Sequence, residues 1–250
     1  MSNGAPIIFL WLVLGLTAGA ALDLLIRSLI KRRDLIQTRC SCDAPRIDLR
    51  VVPLWGALAR AHCPQCSKRL GVRLLVLEIA TAAVFAALAW RFPINFALVV
   101  YSGYALVLAL VFVVDLEHRL IFNSVTYPCM LLSLLVGGFL YGRSFTGGLQ
   151  NSLAGGLFAG GLFLALYVLA ALLYRRDDAL GFGDVKLALL IGLMVGWPNA
   201  VAAMLLGSVA GGVIGVFLMV RRRSGRATMP YGTALGIGAI ISILWLQPVL

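Results

Sequence analysis

Charge is what this 250-residue chain has least of. Only 12% of its residues are Asp, Glu, Lys or Arg, while 61% are hydrophobic and the mean hydropathy is +0.98. Soluble domains carry about 25% charged and about 45–50% apolar residues. The shortage of charge excludes an ordinary soluble domain, and the apolar surplus excludes a disordered chain. No positive segment precedes the first apolar run, which excludes an obvious cleaved secretory signal. No inverted repeat with broken midplane helices is evident, which weighs against a transporter. Acidic residues are the scarcest charged class, ten against 21 Lys and Arg, for a net charge of +11. In a soluble chain that excess would point to nucleic acid. Here basic residues collecting in cytoplasmic loops account for it, and no nucleic-acid partner is expected.

What is present is a series of apolar runs long enough to cross a bilayer as helices, about 17–25 residues each. They fall at 5–26, 74–90, 94–114, 120–141, 153–174, 185–197, 200–220 and 231–246. The fold class is therefore an all-α polytopic membrane protein of about eight transmembrane helices. The sixth run is short, and Pro128 predicts a kink in the fourth. With the N-terminus outside, all of the Lys and Arg except Arg91 and Arg143 fall on the inner side, as the positive-inside rule requires. An odd number of spans would break that alternation. The ten acids also lie in the inner segments or within about two helical turns of them. Function is expected at the cytoplasmic face.

Residues 27–73 make up the one sizeable polar segment. The chain divides into a first transmembrane helix at 1–30, a small cytoplasmic Cys-rich insertion at 31–73, and a seven-helix membrane domain at 74–250. Thiols on the cytoplasmic side stay reduced. Cys40 and Cys42, about twenty residues before Cys63 and Cys66, read as a tetrathiolate structural zinc site. The Cys63-Pro64-Gln65-Cys66 spacing is that of a zinc knuckle, whereas Cys40-Ser41-Cys42 is one residue short. Free thiols on a basic loop are the alternative. His62 reads as exposed, and Cys129 in the fourth run as a small packing residue.

Two aspartates stand where apolar runs meet the inner boundary. Asp115 closes the third run, and Asp184 opens the sixth in Gly181-Phe182-Gly183-Asp184-Val185-Lys186. Ionisable groups at that depth are costly and face protein or a water-filled cavity. Gly181 and Gly183 allow unusual backbone angles and close approach, so the segment reads as a break that presents a carboxylate to a cavity. A pair of carboxylates can divide the work of acid and base, because two like charges a few ångströms apart do not both ionise. A simpler reading stands beside this one: Asp184 as a helix cap, and Asp115 closing its span against Arg119 one turn on. Lys186 tunes Asp184 or reaches to the interface. Glu78 lines the cavity or pairs with Arg73. Asp177 and Asp178 are solvated loop charges or hold a basic substrate. His118 reads as interfacial, Arg221 to Arg223 as anchors on anionic membrane lipid, and Gly155, Gly156, Gly160 and Gly161 as helix-packing positions.

These motifs resemble the type IV prepilin peptidases, or prepilin leader peptidases, which are membrane aspartyl proteases with a Gly-x-Gly-Asp motif. Gly181-Phe182-Gly183-Asp184-Val185-Lys186-Leu187 matches their second motif, and Asp115-Leu116 with Leu120-Ile121 their first. Glu78, Met229-Pro230-Tyr231-Gly232 and the paired-cysteine loop are similar to family features as well. The resemblance covers the whole chain. It implies an enzyme of the bacterial cytoplasmic (inner) membrane serving type IV pili or type II secretion. Such an enzyme removes the basic leader of prepilins or pseudopilins with Asp115 and Asp184 as catalytic residues, and Gly181, Gly183 and Lys186 as motif support. It also implies methylation of the new N-terminus by S-adenosylmethionine. No soluble-type cofactor motif is present, so no residue is assigned to that cofactor. Phe122-Asn123 stands where the family has Pro-Asp. Gly19-Ala20-Ala21-Leu22-Asp23 stands where it has Gly-Ser-Phe-Leu-Asn, and the first cysteine pair is shortened. The last two departures bear on methyl transfer more than on proteolysis. A catalytically inactive assembly factor and a proton- or cation-coupled transporter are the alternative functions.

Overall fold

The computed structural model describes residues 4–31, 72–140, 144–174, 181–222 and 231–247. Among them are eight helices: α1 (Ala5–Lys31), α2 (Val72–Arg91), α3 (Phe96–His118), α4 (Asn123–Leu140), α5 (Phe145–Tyr174), α6 (Phe182–Val195), α7 (Asn199–Arg222) and α8 (Tyr231–Leu246). The insertion with Cys40, Cys42, Cys63 and Cys66 lies outside the described residues, as do Asp177 and Asp178. The chain is a multi-pass membrane protein, and all the regular structure among its described residues is helical. Six of its helices, α1 to α5 and α7, are long and apolar enough to cross a bilayer. The other two expected spans are shorter. At 14 residues α6 is about 21 Å long and at 16 residues α8 about 24 Å, against a hydrocarbon core of about 30 Å. Most of their side chains are buried in protein, so lipid thickness does not set their length.

The contacts divide the chain into two compact units, one ending at Leu106 and the other beginning at Val107, within α3. In the first unit α1 packs against α2 at two glycines four residues apart. A Cβ at Gly15 would lie 2.7 Å from the Ala82 Cα, and one at Gly19 would lie 2.9 Å from the Glu78 Cα. Small residues at this spacing let two helix backbones approach in an apolar medium, where packing and not water exclusion drives association. The Thr81 hydroxyl donates across the contact to the Gly15 carbonyl at 2.9 Å. Asn95 caps the start of α3, its Oδ1 accepting from the Leu98 N–H at 3.0 Å.

In the second unit α6 is the central helix, packed against α4, α5, α7 and α8. It is apolar all round, the pattern of a helix enclosed by others. Gly155 of α5 meets Gly192 of α6 backbone to backbone, and the Ser152 hydroxyl donates to the Leu193 carbonyl at 2.7 Å. Gly196, at φ 68, ends α6, and the Gln247 side-chain amide donates to the Val195 carbonyl at 2.7 Å. The expected fifth span begins earlier than its apolar run. Ser144 caps α5, accepting from the Gly147 N–H at 3.2 Å, and Gly148 fits against the backbone of Gly137 and Gly138 on α4. A cap and a close helix contact thus keep the polar stretch from 145 to 152 helical. Pro128 is held within α4, and Cys129 beside it is half-buried.

Candidate active site

Asp115 lies in the last turn of α3 and is only 5% exposed. An apolar helix delivers it there and ends one turn later. Arg119 closes the turn with φ 53, its N–H donating to the Asp115 carbonyl at 2.9 Å. A left-handed residue without a glycine's freedom costs about 1 kcal/mol, and it turns the chain directly after the carboxylate. The side chain of Asp115 is received by the N-terminus of α8. Its Oδ2 accepts the Thr233 N–H at 2.9 Å, and the Gly232 backbone hydrogen-bonds to it as well. Backbone N–H groups at a helix start have no helical partner and form a natural seat for a carboxylate. Gly232 is needed for that seat, because a Cβ there would lie 2.8 Å from Oδ2. The charge of Arg119 also acts on Asp115, but the direct contacts of the carboxylate are to α8.

Asp184 occupies the first turn of α6, three residues after the N-cap Gly181. Its N–H donates to the Gly181 carbonyl at 3.0 Å, and its carboxylate takes a hydrogen bond from the Gly181 backbone. This is half of a capping box: the N3 carboxylate reaches back to the N-cap N–H, while the glycine cap has no side chain to return a bond. The capping role is therefore realised, but it uses only part of the carboxylate. Leu187, one turn further along the same face of α6, lies 3.2 Å from the position a Cβ would take on Gly232. Gly232 thus sits between Asp115 and the face of α6 that carries Asp184. The charge of Asp115 accordingly acts on Asp184. The two aspartates singled out in the sequence converge at the meeting of the α6 and α8 N-termini with the end of α3.

The motif glycines act differently from the expectation of unusual angles. Gly181 has φ −75, and Gly183 lies within the helix rather than in a break. Close approach is the operative property at Gly183, where a Cβ would lie 3.1 Å from Ile121 Cδ1. Lys186 turns away from Asp184. Its Nζ donates to Asn123 Oδ1 at 3.0 Å and lies 5.3 Å and 5.0 Å from the ring centroids of Tyr127 and Phe182. Glu78 and Asp23 are both buried in the first unit, each 2% exposed. His118 lies 3.8 Å from Glu117 in the last turn of α3. Thr233 was not singled out in the sequence. The available signal was Pro230-Tyr231-Gly232 before an apolar run, a helix start at which a buried acid could be seated.

A family model described as Type IV leader peptidase family matches residues 102–216, and one described as Bacterial Peptidase A24 N-terminal domain matches residues 13–92. A protein of Pseudomonas putida named prepilin leader peptidase/N-methyltransferase is 29% identical over 198 residues, covering 78% of this chain and 66% of that protein. One of the same name from Stutzerimonas stutzeri is 26% identical over 278 aligned positions, covering 98% of this chain and 92% of that protein. A third, from Burkholderia pseudomallei, is 29% identical over 227 residues, covering 88% and 72%. No solved structure matches.

Proposed function

The chain belongs to the type IV leader peptidase family, and on that premise we propose that it is a membrane aspartyl endopeptidase acting on type IV prepilins or pseudopilins. The observation that carries this reading is the convergence of Asp115 and Asp184 around Gly232. In the mechanism we propose, the pair shares one proton. Asp115, whose Oδ2 already accepts backbone N–H groups, is the general base and takes a proton from water. That water oxygen attacks the scissile carbonyl carbon, and Asp184 gives its proton to the carbonyl oxygen. The C–N bond then breaks as Asp115 passes its proton to the leaving amine nitrogen, and Asp184 takes back a proton from a hydroxyl of the gem-diol, which leaves as the carboxylic acid; the pair again shares one proton. The macroscopic titration belongs to the pair and not to either residue.

The distribution of Lys and Arg in the sequence supports an N-terminus outside the inner membrane and a site facing the cytoplasm, where a basic leader would be presented. Methylation of the new N-terminus with S-adenosylmethionine is part of the proposal, supported by the names of the relatives. A structural zinc on Cys40, Cys42, Cys63 and Cys66 is proposed from the sequence alone. A thiolate set of that kind would fix the fold of the insertion and leave no open position for catalysis.

The test is cleavage of a purified prepilin-like substrate in liposomes with S-adenosylmethionine present, read by mass spectrometry. Loss of the leader with wild type and not with Asp184→Asn supports the peptidase. An added methyl on the product supports the second activity, and metal analysis of the same preparation tests the zinc. Failure to cleave several cognate precursors would move the reading to the inactive assembly factor, and then to the transporter.

A further inference from the structure

Lys186 has no part in the chemistry described above, yet its amine is tightly placed. Residues two apart on a helix do not face one another, so Lys186 and Asp184 leave α6 on different sides. The amine crosses to the first turn of α4, where it donates to Asn123 Oδ1 at 3.0 Å and lies over the rings of Tyr127 and Phe182. Tyr127 follows Asn123 by one helical turn, so both contacts come from one face of α4. Asn123 is itself joined to Asp115 by a short segment. After Asp115 the helix ends at His118, Arg119 reverses the chain, and the Phe122 carbonyl receives the first amides of α4, from Val125 and Thr126, at 3.0 Å. Ile121 in this segment rests on Gly183. The turn leaving Asp115 is therefore fixed to the first turn of α6 at two points. One is apolar, Ile121 on Gly183, and the other is polar, Lys186 to Asn123.

We infer that Lys186 and Asn123 form a clamp that sets the spacing of the two aspartates, with Lys186 a positioning residue and not a charge partner of Asp184. This rests on the aspartyl reading above. The clamp acts by geometry. A lysine donating to a neutral amide holds α6 to α4 without placing a second carboxylate near the pair. Displacement of a catalytic group by about 1 Å can lower turnover about a hundredfold.

The decisive variant is Asn123→Ala, which removes the acceptor without changing any charge. Two quantities are read on the full chain in liposomes or detergent. The first is the separation between the two macroscopic titration midpoints of the aspartate pair, followed by carboxyl carbon NMR on aspartate-labelled protein, the signals being identified with Asp115→Asn and Asp184→Asn. It needs no substrate, so it stands even where the peptidase reading fails. The second is kcat against KM for leader cleavage. The clamp predicts a smaller midpoint separation in Asn123→Ala, and a kcat lower by about tenfold with KM unchanged. Asn123→Asp, which keeps an acceptor for Lys186, retains the wild-type separation even where both midpoints move together. Lys186→Arg recovers more kcat than Lys186→Met. An unchanged separation in Asn123→Ala would overturn the inference, whatever happens to kcat. So would a kcat loss matched by a loss of folded protein, since that marks a purely structural contact.

Discussion

Both compact units bury acids next to glycines, and they use the two in different ways. In the first unit Asp23 and Glu78 are as deeply buried as any charged residue described, on helices that Gly15 and Gly19 bring together. In the second unit the acids sit at helix ends. Asp115 ends α3 against the first amides of α8, and Asp184 lies in the first turn of α6. A glycine in the first unit removes a side chain so that two backbones can meet. Gly232 in the second removes one so that a carboxylate can reach a backbone amide. Burial alone therefore does not separate the proposed catalytic acids from the other two. What sets them apart is burial together with N–H donors from a helix start, and the charge of Asp115 acting on Asp184.

The largest difference between the two regions is expected from isosteric loss of the acids. Asp115→Asn and Asp184→Asn should each lower leader cleavage on the order of a thousandfold or more, with the midpoint of thermal unfolding unchanged or raised. Glu78→Gln should do the opposite, costing about 1–3 kcal/mol of stability because a buried group is changed, while cleavage by the folded fraction stays near wild type. Cleavage and thermal unfolding measured on the same detergent-solubilised preparations decide it. A Glu78→Gln protein that folds normally and does not cleave would erase the distinction between the two regions.

A smaller effect is expected from one methyl group. In Gly232→Ala the new Cβ lies 2.8 Å from Asp115 Oδ2 and must displace the carboxylate. Cleavage should fall on the order of a hundredfold with little change in stability. Gly236→Ala, one turn along the same helix, has only the Leu108 carbonyl at 4.0 Å and should stay within about twofold of wild type. Gly19→Ala in the first unit meets Thr81 and the Glu78 backbone. It should cost about 1–3 kcal/mol of stability by overpacking and leave kcat of the folded protein intact.

The helices were legible because lipid imposes a length on apolar runs, and the eighth run coincides with α8 at both ends. Where lipid is not the neighbour, the rule fails. The start of α5 was missed because Ser144 and a glycine contact, and not hydrophobicity, hold it in a helix. The two aspartates stood out because each lies where an apolar run meets the inner boundary, a depth at which an ionisable group is costly. Thr233 did not, because its contribution is a backbone N–H, which every residue but proline carries. The course of Lys186 was hidden as well, since it depends on which helix stands beside α6.

The smallest expected effect falls on the most recognisable motif residue. At φ −75 Gly181 needs no glycine for its backbone, and a Cβ there would lie 3.6 Å from Asp184 Oδ2, an ordinary contact. Its hydrogen bonds to Asp184 run through the backbone and survive substitution. Alanine is a poorer N-cap than glycine by about 1 kcal/mol, so Gly181→Ala should lower cleavage only about threefold through a looser first turn of α6. Gly181 is nevertheless exposed beside the carboxylate, and a substrate would need some such opening to reach Asp184. If Gly181→Ala instead raises KM steeply at normal stability, that opening is where the scissile peptide lies. The first glycine of the motif would then serve the substrate, and the second, through Ile121, would serve the fold.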